Sequence, residues 1–94
     1  MSPADVSIRL ASEDTRALHL TAIVGKTGDQ TTHEVTLDRT LLARLAPDEP
    51  AEIFVRRCFD FLLQREDKES ILQRFNVSDI ARYFPEFEKT IARR

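Results

Sequence analysis

Hydrophobic positions follow two regimes along this chain. From Val6 to Leu37 they recur at every second residue, and from Leu41 onward they recur three or four residues apart. The first spacing is that of strands with one buried face, the second that of helices with one buried stripe. Val6, Ile8 and Leu10 alternate with Ser7 and Arg9; Leu18, Leu20, Ala22 and Val24 form a second alternating run; Val35 and Leu37 close a third. Turn chemistry separates the runs. Ser12, Glu13, Asp14 and Thr15 lie between the first two, and the stretch from Gly25 to Asp29, which holds both glycines of the protein, lies between the second and third. This pattern predicts a three-stranded antiparallel β-meander over about 6–11, 17–24 and 31–37.

Closing both hairpins symmetrically about their turns sets Leu10 opposite Leu18, Ile8 opposite Leu20, Leu20 opposite Val35 and Leu18 opposite Leu37. One face is then apolar across three strands, and the other carries Ser7, Arg9, His19, Thr21, Glu34 and Thr36. A sheet of that kind needs a helical layer on one side only.

The second half supplies the layer. A short helix is expected over 39–46, capped by Asp38 and ended by Pro47, because the residue before a proline avoids helical geometry. Pro50 suits a first helical turn with Asp48 or Glu49 before it, and Ile53, Phe54, Cys58, Phe61 and Leu62 then mark a central core helix over 50–65. Further helices are expected over 68–75 with Ile71, Leu72 and Phe75, over 77–84 with Asn76 or Ser78 as cap, and over 85–92, opened by Pro85. The fold class is α+β, with the meander packed on one face by these helices.

At 94 residues the chain has room for one hydrophobic core, so residues 1–94 form a single domain. A hydrophobic share of 41% beside 32% charged residues is that of a folded chain, not of a disordered one. The formal charge of -2 gives no overall field toward nucleic acid or a membrane surface. One cysteine, Cys58, and two separated histidines offer neither an internal disulfide nor a zinc site. The residues after Met1 lack the basic start and apolar run of a secretory signal, and no apolar stretch nears the roughly 20 residues of a membrane span. A cytoplasmic setting without membrane contact is the expectation.

Several residues invite a chemical reading. Gly25, Lys26 and Thr27 have the order that ends a phosphate-binding loop, but the upstream glycine position is Leu20, inside a strand, and a strand follows instead of a helix. A hairpin turn accounts for them. His19 and His33 fall on opposite faces of the sheet in the register above and do not share a metal. The spacing of Cys58 from Phe54 and Phe61 makes it a small buried hydrophobe, and the acidic pairs Asp48–Glu49 and Glu66–Asp67 suit helix ends. No catalytic, cofactor-binding or metal-binding residue is assigned, and no enzymatic role is expected.

Two binding readings remain. Residues 68–84 have the outline of a helix-turn-helix DNA reader: Ile71, Phe75 and Val77 occupy its buried positions, and Arg74 and Arg82 are the candidate DNA contacts. Against it, Asp79 would meet phosphates at the start of the recognition helix and Pro85 cuts that helix short, so nucleic acid is the second choice. The first is a protein-interaction or self-associating module. A three-stranded sheet has two open edges, and Tyr83, Phe84 and Phe87 are more aromatic material than a short, proline-interrupted segment needs, which makes them the candidate partner-binding residues.

The run from Phe61 to Glu66, then Lys68 to Leu72, with the later Tyr83, Phe84, Pro85, Glu86, Phe87 and Glu88, resembles a small family of uncharacterised bacterial proteins. The resemblance covers the last third of the chain. It implies a compact α+β bacterial domain and brings no activity or cofactor.

Overall fold

A computed structural model describes residues 5–92. Three long strands come first: β1 (Val6–Glu13), β2 (Ala17–Lys26) and β3 (Asp29–Asp38). Helices α1 (Arg39–Leu45) and α2 (Ala51–Leu63) follow; then come a 3-10 turn at Lys68–Ser70, a short strand β4 (Arg74–Asn76), a second 3-10 turn at Val77–Asp79, and helices α3 (Ile80–Tyr83) and α4 (Phe87–Ile91). The sheet order is β1-β2-β3-β4, antiparallel except for the last pair, which is parallel. The α+β class and the meander are as the hydrophobic pattern predicts, with one strand added.

In the second hairpin the expected register holds, with Leu20 opposite Val35 and Leu18 opposite Leu37. Thr27 and Gly28 form its two-residue turn; Gly28 has φ 90° and Gly25 has φ 112°, both on the side of the map that side chains avoid. The first hairpin differs. Leu10 lies opposite Leu20 and Ile8 opposite Ala22, and Ala11 is an extra residue between the Leu10 and Ser12 pairs. The cause is the turn: the Asp14 carboxylate accepts from the backbone N–H groups of Arg16 and Ala17 at 2.8 and 2.9 Å, a local closure that shifts the strands away from symmetric pairing and is absorbed by the bulge at Ala11.

The helix expected over 68–75 is not formed. A 3-10 turn at Lys68–Ser70 leads instead into β4, which pairs Glu34 with Arg74, Val35 with Phe75 and Thr36 with Asn76. Ile71, Leu72 and Phe75 are spaced as on a helix, but the free edge of β3 offers ladder hydrogen bonds and a core position for Phe75; Glu34 N–H donates to the Gln73 carbonyl at 2.7 Å. A parallel neighbour needs a crossover, and α1 with α2 provides it.

All the helical packing is on one sheet face. Leu18, Leu20, Ala22, Val24, Val35 and Leu37 share one buried cluster with Phe54, Val55, Cys58, Phe59 and Leu62 of α2, Leu41 and Leu45 of α1, and Phe87 and Ile91 of α4. Two expected caps are absent. Asp38 and the residue before Ala51, which is Pro50, make no side-chain cap bond, and Glu49 turns to the Arg57 guanidinium instead. No helix among the described residues is long and apolar enough to cross a membrane.

Candidate interaction groove

The segment after α2 builds an apolar concavity, a groove of about 170 Å³. Its floor is Leu62, Ile71 and Ile80, all buried in the core. Its walls are Phe75 and Phe84, each half-buried, and its lips are Leu72 and Tyr83, 54% and 68% exposed. Glu66 and Ser70 give it a polar rim at one end. Large apolar side chains left that open beside a pocket have no role in the core of this chain.

The walls are braced from behind. The Phe75 ring lies 6.0 Å from Phe59, which in turn lies 5.4 Å from the His33 ring. Phe84 meets Phe61 edge-on at 5.8 Å, and the Arg65 guanidinium lies over the Phe61 ring, 3.6 Å from its centroid. Arg65 is held by the Phe61 carbonyl at 2.9 Å and Glu86 at 3.2 Å. On the far side, Asn76 accepts from Ser78 N–H at 2.9 Å while the Asp79 carboxylate accepts from Asn76 N–H at 3.2 Å, a reciprocal cap that sets the entry into α3 and with it the direction of Tyr83. The groove is therefore shaped before anything enters it.

His33 anchors this region to the meander. It is 1% exposed, and its Nδ1 faces the Leu72 carbonyl at 2.8 Å. A carbonyl only accepts, so Nδ1 donates to it, and Nε2 shares a hydrogen bond with the Thr31 hydroxyl, also at 2.8 Å. Sequence periodicity placed His33 on the apolar face, and the long-range bond to Leu72 explains why a polar ring is stable there.

The partner-binding candidates separate. Tyr83 and Phe84 border the groove, whereas Phe87 is 1% exposed and packs against Phe61 at 5.1 Å, so it belongs to the core of the single chain. The DNA-contact candidates also separate: Arg74 lies on β4 and Arg82 on α3, and with a strand in place of the first helix they are not carried on a helix-turn-helix. Leu72 was not singled out from sequence. Its adjacency to Ile71 reads as part of one buried stripe, and only the irregular path from the 3-10 turn at Lys68–Ser70 into β4 leaves it outward.

The remaining polar constellation is on the open sheet face. Asp14 Oδ2 lies 3.2 Å from His19 Nε2, and His19 Nδ1 lies 3.4 Å from the Thr36 hydroxyl. The order resembles a catalytic relay, but hydrogen bonds from the N–H groups of Arg16 and Ala17, then from His19, hold the Asp14 carboxyl down at about 2. Such a carboxylate is a turn-closing anion and a poor base near neutral pH, and the hydroxyl contact is long. Cys58 is buried, and burial pushes its thiol well above the ordinary range, away from thiolate chemistry. Among the described residues no three metal-ligating side chains gather.

Fold and groove together define a small α+β domain with a mixed four-stranded sheet and an apolar recess beside its short parallel strand. Comparison with protein-family models, with curated proteins and with solved structures finds no match for this chain.

Proposed function

We propose that this chain is a non-enzymatic protein-interaction module that seats an apolar side chain of a partner protein in the groove between Leu72 and Tyr83. The observation that carries the reading is the exposure of those two residues, 54% and 68%, over a floor that is fully apolar. Filling the recess removes both lips from water, and burying a side chain of leucine or phenylalanine size contributes about 1.5–3 kcal/mol. The braced walls limit the ordering cost on the module's side. Glu66 at the rim favours a basic residue flanking the inserted side chain. The resemblance of the last third of the chain to bacterial proteins is consistent with a bacterial, cytoplasmic setting for that partner.

A photo-reactive phenylalanine at position 83 tests this in cells. The expected result is one discrete protein adduct that disappears when Leu72→Glu is added, while the same probe at position 89, on an exposed part of α4, gives none. No adduct from position 83, or an adduct indifferent to Leu72→Glu, contradicts the reading. Duplex DNA binding at low salt that Arg74→Ala or Arg82→Ala weakens would instead favour the nucleic-acid reading.

A further inference from the structure

Among the described residues β1 is an edge of the sheet, and its backbone faces alternate. The Gly25 N–H donates to the Asp5 carbonyl at 2.8 Å, so Asp5, and with it Ser7 and Arg9, direct their N–H and C=O groups toward β2. Val6, Ile8 and Leu10 therefore direct theirs to the free side of the strand. The extra residue Ala11 interrupts the regular edge just beyond Leu10, so the regular pairable edge of the described strand ends at Leu10.

That stretch is self-complementary about Ser7. Read outward in both directions it runs apolar, then charged, with opposite signs: Val6 and Asp5 on one side, Ile8 and Arg9 on the other. The side chains of Asp5 and Arg9 are exposed, and neither makes a hydrogen bond or ion pair with the described residues.

We propose that β1 pairs antiparallel with β1 of a second copy of this chain about a two-fold axis at Ser7, joining the two sheets into one. Val6 of each copy then exchanges both backbone bonds with Ile8 of the other, using the groups that point to the free side. Asp5 lies opposite Arg9 at a position without backbone bonds, where side chains approach most closely, and the two-fold axis forms that ion pair twice. On the core face Val6 meets Ile8, which covers an Ile8 side chain that is only half-buried in the single chain. Charge selects this register over its neighbours: an axis at Arg9 sets arginine against arginine, and an axis at Ile8 sets Arg9 against serine. The inference stands apart from the groove, which is formed by other elements.

Sedimentation equilibrium of the full chain and its variants tests it. The wild type is expected to dimerise. Arg9→Asp and Asp5→Arg each replace two attractions by two repulsions and are expected to weaken the dimer about tenfold or more. The double exchange Asp5→Arg with Arg9→Asp restores it. Ser7→Cys is expected to give a disulfide-linked dimer on mild oxidation, since the buried Cys58 does not compete, whereas Arg9→Cys gives none. A wild-type monomer at millimolar concentration overturns the proposal. So does a dimer that the double exchange fails to rescue, or one that crosslinks through position 9 and not through position 7.

Discussion

Replacing His33 by phenylalanine isolates the bond that fastens the groove segment to the meander. The substitution keeps a ring against Phe59 but removes both hydrogen bonds, to the Leu72 carbonyl and with the Thr31 hydroxyl. Thr31 is half-exposed, so its hydroxyl turns to water at little cost. The Leu72 carbonyl loses its partner under a phenyl ring, and a polar group left unpaired in that way costs about 1–3 kcal/mol. Taking about 2 kcal/mol, a domain of this size should melt roughly 8–16 °C lower. The loss should also be local before it is global. Hydrogen exchange should quicken first at Glu34, whose N–H is bonded to the Gln73 carbonyl, and at the other β3–β4 bonds, with the β1–β2 ladder slower to respond. Thermal denaturation followed by circular dichroism, with exchange read by NMR, measures both. A melting temperature unchanged to within a degree, or exchange that quickens equally in β1 and β4, would refute the assignment of His33 as the anchor.

Other perturbations have distinct signatures. At Gly25 an added Cβ would sit 2.3 Å from the Asp29 carbonyl oxygen and 2.9 Å from Lys68 Cε, whereas at Gly28 it would meet nothing within 4 Å. Gly28→Ala should therefore cost about 1–2 kcal/mol from backbone conformation alone, and Gly25→Ala clearly more, both measured by chemical denaturation. The Arg57 guanidinium grips Glu49 through Nη2 at 2.7 Å and the Ile91 carbonyl through Nη1 at 2.9 Å, with side chains 22% and 13% exposed for Arg57 and Glu49. Arg57→Met should destabilise by about 2–3 kcal/mol, less than the roughly 3–5 of a fully buried pair; a loss below 1 kcal/mol would show the pair to be solvated. Asp14 is depressed from 3.8 to about 2, so its contribution is complete above pH 4 and is lost as the pH falls toward 2. The stability gap between the wild type and Asp14→Asn should accordingly be flat from pH 5 to 7 and shrink below pH 4, and a gap that instead grows on acidification would reverse the argument.

What could be read from sequence followed the length of each pattern. β2 carries a long alternating run and β3 a short one, and closing them symmetrically about the glycine turn set their register at Leu20–Val35; α2 carries enough apolar residues at helical spacing to be unmistakable. The first hairpin went astray by two positions, because the Asp14 side chain closes its turn and nothing in the alternation marks Ala11 as an extra residue. β4 was hidden for a different reason. Three residues cannot display a period, and Ile71, Leu72 and Phe75 fit a helix as well as a strand; what decides is the unpaired edge of β3, a partner distant in sequence. The groove inherited that difficulty. Tyr83 and Phe84 could be suspected from aromatic excess, but Leu72 and the core placement of Phe87 follow only from the turn–strand–turn path between Lys68 and Asp79.

Every functional statement about the groove depends on residues 74–76 lying as a strand beside β3. Backbone NMR of the chain measures this directly: cross-strand contacts between residues 34–36 and 74–76 in parallel register, with the Glu34 amide protected and the Leu72 and Tyr83 side chains reached by a soluble paramagnetic probe. Sequential helical contacts running from Ile71 through Phe75, with Leu72 shielded from the probe, would contradict it and take the groove away.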